Sequence, residues 1–285
     1  MTEYIGIIGG SGLYSIDEFE HKEDLTIETP YGKPSSVLKV GKLAGVDVVF
    51  IARHGEGHTY NPSEINFRAN IWAMKKAGVK AIFAVSAVGS LKEEIHPGEM
   101  VLIDQFIDRT RVRPSTFFEK GFVAHVSMAH PISEYMRGLL VTSCKKLGIT
   151  YHDGGTYVCM EGPQFSTVAE SNFYRSLKAS VIGMTNLQEA KLAREAEISF
   201  ATIALCTDYD CWHPDHENVT VEQVFATVKE NGVKAQRILI DAVKAFDFNQ
   251  KLEVEGILKN AVMISPDKIT AEVKERLAPI IGKYY

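Results

Sequence analysis

The sequence of 285 residues contains little cysteine, proline or tryptophan, with 4, 10 and 2 residues of each. The cysteines are too few and too dispersed for a disulfide framework, and they form no CxxC pair. They are Cys144, Cys159, Cys206 and Cys211. This usage excludes a small disulfide-stabilised secreted fold, so we expect a reducing cytoplasmic environment.

Positive charge and long apolar runs are also scarce. The chain has 31 Lys and Arg against 36 Asp and Glu, a formal net charge of −5, and neither end carries a basic arm. We therefore expect no nucleic-acid partner. No apolar run approaches the roughly 18–20 residues of a membrane span, and the start MTEYIGIIGG has no basic region before its apolar segment. We expect neither a membrane partner nor a signal peptide.

Hydrophobic residues make up 45% of the chain, enough for a sizeable core. Apolar runs rich in β-branched residues alternate with amphipathic stretches, which predicts an α/β sandwich around a mixed or parallel sheet. Strands are expected at 4–8, 46–52, 81–88, 101–107, 157–160, 181–183 and 200–205. Helices are expected at 61–77, 133–147 and 167–177, and in two runs after 220. We expect one domain over 1–285, with 267–285 as a terminal helix or a loosely packed tail.

The first predicted strand ends at Gly9-Gly10-Ser11-Gly12. The glycines allow close backbone approach to an anion, and Ser11 adds a hydroxyl. The string lacks the third glycine of a dinucleotide fingerprint, and no GK[ST] follows, so a P-loop is excluded. An anion site, a tight turn and, less readily, a dinucleotide site remain open.

A second strand runs into Arg53-His54-Gly55-Glu56-Gly57-His58. Arginine offers a bidentate fork for phosphate, and the histidines can add donors. Two glycines separate His54 from His58, so a shared helix face that binds metal is disfavoured, although a structural turn is not excluded. Ser86 to Ser90, after the most buried strand, is by itself more typical of tight packing.

Asp208 and Asp210 flank Tyr209 at the end of another predicted strand. Such a pair serves general acid chemistry, binds a divalent ion, or is only a helix cap with a solvated acid. His213-Pro214-Asp215-His216 could suggest a metal site, but Pro214 and its polar surroundings favour a surface loop. We expect no metal.

Several strings in this order resemble the trimeric purine nucleoside phosphorylase family, over roughly Ile5 to Asn260. They are IGIIGGSGLY, IARHGEGH, NFRANIWAMK, GSLKEEIHPGE, DQFIDRT, EGPQFS, GMTN and TDYDCW. The resemblance implies a three-layer sandwich with a central mixed sheet flanked by helices. It also implies phosphorolysis, in which phosphate attacks C1′ of a nucleoside as the bond to the purine breaks. Inorganic phosphate is then a co-substrate, and no cofactor is expected.

The resemblance assigns site residues by position. The implied phosphate ligands are Ser11, Arg53, His54, Ser86, Ala87 and Thr185. The implied nucleoside contacts are Phe165, Ser166, Met184, Asp208, Asp210, Val221, Val224 and His125. Within these sets Val221 and Val224 line the sugar pocket, although ordinary core packing is an alternative for both. His125 comes from a neighbouring subunit, which implies a homotrimer or a dimer of trimers.

Asp208 and Asp210 are the expected catalytic pair. Asp208, held partly protonated by burial, would share or donate a proton at purine N7, and Asp210 would accept from a 6-amino group. In relatives that use 6-oxopurines the positions of Asp208 and Ser166 typically hold Asn and Glu, so this sequence favours adenine. The expected substrate is 5′-methylthioadenosine, with adenine and 5-methylthioribose 1-phosphate as products.

Other activities stay open at this stage. A broad or 6-oxopurine phosphorylase would use the same scaffold, a hydrolytic nucleosidase would use water instead of phosphate, and a silent nucleotide-binding protein would use only Gly9 to Gly12. The sequence departs from animal members at Gly183, Asn186 and Gln188, and the segment after Asn260 does not align well.

Overall fold

The computed structural model describes residues 2–10, 16, 18–214 and 221–285, with the side chains of 221–226 outside the description. The described strands are β1 Tyr4–Gly9, β2 Phe19–Leu25, β3 Leu38–Leu43, β4 Val46–Ala52, β5 Val79–Ser90, β6 Met100–Leu102, β7 Gln105–Arg109, β8 Tyr151–Asp153, β9 Thr156–Met160, β10 Val181–Gly183 and β11 Ser199–Asp208. The described α-helices are α1 Phe67–Ala77, α2 Glu134–Leu147, α3 Val168–Ser176, α4 Leu187–Glu195, α5 Val221–Lys244, α6 Ala271–Arg276 and α7 Ala278–Ile281.

All the strands belong to one mixed sheet that branches at β5. The main path runs β2-β3-β4-β1-β5-β10-β9-β7, and a branch of β11, β6 and β8 leaves from β5. Helix α1 packs with α4, α2 packs with α5, and both α4 and α5 contact β11. The expected sandwich with a mixed sheet flanked by helices is confirmed, because β5 is apolar and buried on both faces, as a central strand must be.

Several predicted helix ends are confirmed. Ser133 caps α2, and Gly148 ends it in the left-handed conformation with φ of 64°. Thr167 caps α3 with a complete capping box to Glu170. The two helical runs expected after 220 form the single helix α5.

The expected start of the first helix is wrong. Helix α1 begins at Phe67 with Asn66 as its cap, and not after Asn61. The Asn61 side chain instead accepts hydrogen bonds from the backbone of Ser63 and Glu64 at 2.9 and 3.2 Å. The same capping chemistry of an asparagine therefore stabilises a separate turn before the helix.

The expected strand at 101–107 is two strands, β6 and β7. They pair with different neighbours, since β6 lies between β11 and β8 while β7 pairs with β9. Asp104 lies between them, and its carboxylate accepts a hydrogen bond from the Gly155 backbone at 3.1 Å. The chain passes from one branch of the sheet to the other at this residue.

The C-terminal segment is packed onto the domain rather than loose. Leu277, Ile280 and Ile281 are buried. The indole of Trp72 on α1 donates to the backbone carbonyl of Arg276 at 2.9 Å. Of the two expectations for this segment, the terminal helix is correct and the loosely packed tail is wrong.

Candidate active site

The candidate site lies at a gap along one edge of β5. On this edge β1 pairs with β5 as far as Ala84, and β10 pairs only at Gly89 and Ser90, while β11 occupies the opposite edge throughout. Within the described chain no strand covers the edge at 85–88. The carboxyl ends of β1 and β4 reach this gap from one side and that of β10 reaches it from the other, which is where ligands of α/β sheets gather.

A cavity of about 540 Å³ fills the gap. Most of the residues that the sequence suggested for a site lie on its wall. They are Arg53, His54, Ser86, Ala87, Phe165, Met184, Thr185, Asp208 and Asp210. Residues distant in sequence therefore meet around one space. Arg53, His54, Ser86, Ala87 and Thr185 define what we call the anion end, and Phe165, Met184, Asp208 and Asp210 define the purine end.

Arg53 follows β4 and is 1% exposed. Its Nε and Nη2 donate to the two carboxylate oxygens of Glu189 at 2.5 and 2.8 Å, and Nη1 donates to the Val85 carbonyl at 2.8 Å. The bidentate fork that the sequence suggested for phosphate is thus engaged by a buried carboxylate on α4. These contacts fix the guanidinium plane at the cavity wall. A Cβ at Gly10 would lie 2.5 Å from Nη1, so a side chain there would displace it.

His54 is held as a neutral ring. Its Nδ1 lies 2.9 Å from the carbonyl oxygen of Tyr60, which can only accept, so Nδ1 carries the hydrogen. Burial, followed by the nearby Arg53 charge, lowers the pKa of His54 to about 3. The Nε2 atom of the neutral ring is then an acceptor, not the donor that the sequence suggested. If the anion is phosphate, His54 Nε2 would accept a hydrogen bond from a phosphate oxygen that carries a proton. The ring also stacks on His58, with centroids 4.1 Å apart.

Hydroxyls complete the anion end. Ser86 and Thr185 are 4% and 5% exposed and line the cavity, Ser86 from β5 and Thr185 from the segment after β10. The Ser86 Oγ lies 3.2 Å from the hydroxyl oxygen of Tyr157. Ser11, also expected among the phosphate ligands, lies outside the described residues.

Asp208 ends β11 at the purine end. Burial raises its pKa to about 6, even though a hydrogen bond with the Thr207 hydroxyl and one from the Asp210 backbone both favour the ionised form. Asp208 Oδ2 lies 2.6 Å from Thr207 Oγ1, which also lies 3.1 Å from the Val88 carbonyl oxygen. A protonated Asp208 can donate to Thr207 while Thr207 donates to Val88, so this arrangement accommodates a proton on the carboxyl group.

Asp210 is buried in a left-handed backbone conformation with φ of 52°. Its backbone N–H donates to Asp208 Oδ1 at 2.8 Å, which ties the two acids together. Burial raises the pKa of Asp210, opposed by the hydroxyls of Ser171 and Ser166. Its Oδ2 has no hydrogen-bond partner within the described part of the chain.

The side chains around the two acids form an apolar slot. Phe165 lines the cavity yet is 45% exposed, and Met184 faces the same space. Ser166 does not line the cavity and lies behind it, where it contacts Asp210 and the Met160 sulfur. An aromatic face and a thioether suit stacking against a flat heterocycle.

Arg113 holds the purine end together from behind and was missed in the sequence. Its guanidinium donates to the backbone carbonyls of Met184 and Glu161. Its Nε also donates to the Glu161 carboxylate at 3.0 Å and to Ser63 Oγ at 3.2 Å. One buried side chain therefore links three segments that line the cavity.

The sequence also missed Glu189, Tyr60, Thr207 and Tyr157. A buried arginine needs a carboxylate partner, so some acid was to be expected near Arg53, but no spacing identifies Glu189.

The three positions that depart from animal members have partners of their own. Gly183 faces Tyr157, Asn186 donates to Glu189 at 3.3 Å, and Gln188 donates to Thr110 at 2.8 Å.

One expected nucleoside contact, His125, lies away from the cavity, and two others fall outside the described residues. His125 is exposed, and its backbone N–H donates to the Ala261 carbonyl at 2.9 Å, away from the cavity of its own chain. The side chains of Val221 and Val224 on α5 lie outside the described residues.

Neither a metal cluster nor a membrane helix is seen in the described ranges. Within residues 2–10, 16, 18–214 and 221–285, no three His, Cys, Asp or Glu side chains are grouped to hold an ion. No helix in these same ranges has the length and apolar character needed to cross a bilayer. His213 in the suspected loop contacts Glu93 at 3.2 Å.

A family model described as the phosphorylase superfamily matches residues 4–244. This chain belongs to the phosphorylase superfamily, as the branched mixed sheet and the cavity at β5 indicate. It is similar along its full length to proteins named S-methyl-5′-thioadenosine phosphorylase. The protein of that name from Synechocystis sp. is 54% identical over 99% of this chain and 87% of the relative. The one from Geobacter sulfurreducens is 50% identical over 100% of both chains.

Solved structures of methylthioadenosine phosphorylases are also similar to this chain. A methylthioadenosine phosphorylase from an antarctic soil metagenomic library superposes with a TM-score of 0.93 and 46% identity, over 98% of this chain and 99% of the other. The methylthioadenosine phosphorylase from Schistosoma mansoni, solved in complex with adenine, has a TM-score of 0.88 and 34% identity. It covers 92% of this chain and 99% of its own.

Proposed function

We propose that this protein catalyses the phosphorolysis of 5′-methylthioadenosine to adenine and 5-methylthioribose 1-phosphate. The observation that carries the proposal is one cavity that joins the anion end to a purine end with two acids on its wall. The names of relatives at about 50% identity over the full length support the same reaction.

In the proposed reaction a phosphate oxygen attacks C1′ of the nucleoside. The C1′–N9 bond breaks, and its electron pair passes to the purine ring, where N7 becomes basic. The phosphate is held by donors from five residues, namely Arg53, Ser86, Thr185, the Ala87 backbone and Ser11. His54 accepts a hydrogen bond from the protonated oxygen of the phosphate. The nucleophile is a substrate, so the protein supplies no activated Ser or Cys, and no cofactor is needed.

Asp208 supplies the proton to purine N7 as the glycosidic bond lengthens. Its pKa of about 6 keeps part of the carboxyl group protonated near neutral pH, which is the condition for a general acid. Asp210, which lines the cavity beside Asp208, accepts from the 6-amino group. An acceptor at this position repels a 6-oxo group, which favours adenine.

Purine release tests the reaction. Methylthioadenosine, adenosine, methylthioinosine and inosine are each incubated with the protein, with and without inorganic phosphate. We expect phosphate-dependent release of adenine, fastest from methylthioadenosine. Release without phosphate would identify a hydrolase, and a preference for inosine or methylthioinosine would identify a 6-oxopurine phosphorylase.

We also propose a homotrimer, alone or as a dimer of trimers, in which His125 completes the sugar pocket of a neighbouring subunit. His125 is exposed and remote from its own cavity, as a side chain lent to a neighbour would be. Sedimentation should give a multiple of three chains, and His125→Ala should raise the KM for the nucleoside. A fully active monomer would contradict the shared site. A single domain over 1–285 and a cytoplasmic location stay predictions of the sequence.

A further inference from the structure

Tyr157 lies on β9, directly behind the anion end, and does not line the cavity. It is fully buried, and its ring packs against Phe106 with centroids 5.5 Å apart. Its hydroxyl oxygen lies 3.2 Å from Ser86 Oγ. A buried tyrosine hydroxyl normally has a hydrogen-bond partner. The partner of Tyr157 is a residue of the cavity wall.

Burial raises the pKa of Tyr157, so its hydroxyl stays protonated and can donate. Ser86 lies on β5 itself, at the edge that no strand of the described chain covers. The Tyr157 hydroxyl thus contacts a hydroxyl residue of the anion end from behind the cavity.

Gly183 leaves the space that the tyrosine needs. A Cβ at this position would lie 2.0 Å from the Tyr157 hydroxyl oxygen and 2.6 Å from Cζ. Those distances are far inside van der Waals contact, so no other residue fits at 183 while Tyr157 keeps this position. The position of the Tyr157 ring therefore depends on a glycine at 183.

The direction of the hydrogen bonds follows from the groups present. The Ser86 hydroxyl has one hydrogen and also donates to the Ala87 carbonyl, so in that arrangement Tyr157 directs its own hydrogen at Ser86 Oγ. Ser86 then has its hydrogen available for an acceptor other than Tyr157. Its one other contact in the described chain is the Ala87 carbonyl at the long distance of 3.4 Å. An anion in the cavity is the stronger acceptor.

We propose that Tyr157 is a positioning residue for phosphate, which orients the Ser86 hydroxyl as a donor at the anion end. The proposal rests on the proposed function, because it takes Ser86 as a phosphate ligand. Tyr157 acts through Ser86 and touches neither substrate.

Tyr157→Phe tests the proposal because it removes the hydroxyl and keeps the ring. We expect the KM for phosphate, and the Kd for inorganic phosphate measured by calorimetry without nucleoside, to rise about 5- to 10-fold. The KM for methylthioadenosine should change less than twofold. Tyr135→Phe is the matched control, since it removes a hydroxyl that accepts from the Asp247 backbone at 2.9 Å on the other side of the fold.

A double-mutant cycle with Ser86→Ala separates orientation from general loosening. If Tyr157 acts through Ser86, Tyr157→Phe should weaken phosphate binding much less in the Ser86→Ala background than in the wild type. Equal effects in both backgrounds, or equal rises in both KM values, would overturn the proposal. So would an unchanged phosphate Kd in a folded Tyr157→Phe protein. A wild-type protein that neither binds phosphate nor needs it would instead contradict the proposed function.

Discussion

The two ends of the cavity differ in how completely their polar groups are paired within the protein. At the anion end Arg53 is bound by Glu189 and Val85, His54 by Tyr60, and Ser86 by Tyr157. At the purine end Asp208 is partly buried and Asp210 is buried, both carboxyl groups have raised pKa values, and one Asp210 oxygen lacks a partner within the described chain.

This difference matches what each end has to bind. Inorganic phosphate is small, and donors that are already oriented bind it without loss of side-chain entropy. A purine gains negative charge only as its bond to the sugar breaks, so groups that gain partners at that stage favour the transition state. On the proposed function, the anion end is preorganised for phosphate, and the purine end responds to the charge that develops on the leaving base.

Asp208→Ala should have the largest effect, and it tests the purine end alone. Removing the proton donor to N7 should lower kcat by about 10²- to 10⁴-fold, with little change in the Kd for inorganic phosphate. Steady-state kinetics and phosphate calorimetry measure the two quantities. Circular dichroism should be that of the wild type. Turnover close to the wild-type value would contradict the role of Asp208.

Glu189→Gln tests the anion end. It leaves the buried Arg53 charge without its carboxylate, which should lower the free energy of unfolding by about 3 kcal/mol. Chemical denaturation measures the change. Glu119→Gln breaks the partly exposed Arg68–Glu119 pair and should cost less than about 1 kcal/mol. Similar values for the two variants would mean that the Arg53–Glu189 pair is not structurally important.

Arg113→Lys tests whether the wall of the purine end needs its support. Lysine keeps the charge but cannot contact Met184, Glu161 and Ser63 together, so the KM for the nucleoside should rise about tenfold. The KM for phosphate should change much less, because the anion end has separate supports. Arg68→Lys, remote from the cavity, is the control. Equal rises in both KM values would show that the two ends do not respond independently.

The smallest expected effect is the pH dependence of stability, which Asp208→Asn tests. The folded pKa of Asp208 is about 6, against its ordinary value of 3.8, so its contribution to stability is full below 3.8 and is lost as the pH rises through 6. Between pH 5 and pH 8 the wild type should lose about 1 kcal/mol relative to the Asn variant. Thermal unfolding of both proteins at the two pH values measures this. A difference that does not depend on pH would mean that the pKa of Asp208 is not raised.

The sequence predicted well those elements whose signals are local. Strands β4 and β10, the caps of α2 and α3 and the buried character of β5 follow from apolar runs and from capping residues. Strand β2, FEHKEDL, was missed because it is an exposed edge strand whose charged residues resemble a loop. Helix α4 was missed because its buried face includes Gln188, Glu189 and Arg194, polar residues that normally indicate solvent.

By itself, the sequence determined the fold class and the residue types at the strand ends, because period, caps and motifs are properties of neighbouring residues. Only the tertiary structure decided how those residues are paired. Glu189 lies 136 positions from Arg53 and Tyr157 lies 71 from Ser86, and no spacing encodes such partners. The same holds for burial, which raises the pKa of Asp208 and lowers that of His54, because the packing of the whole chain determines how much water each group loses.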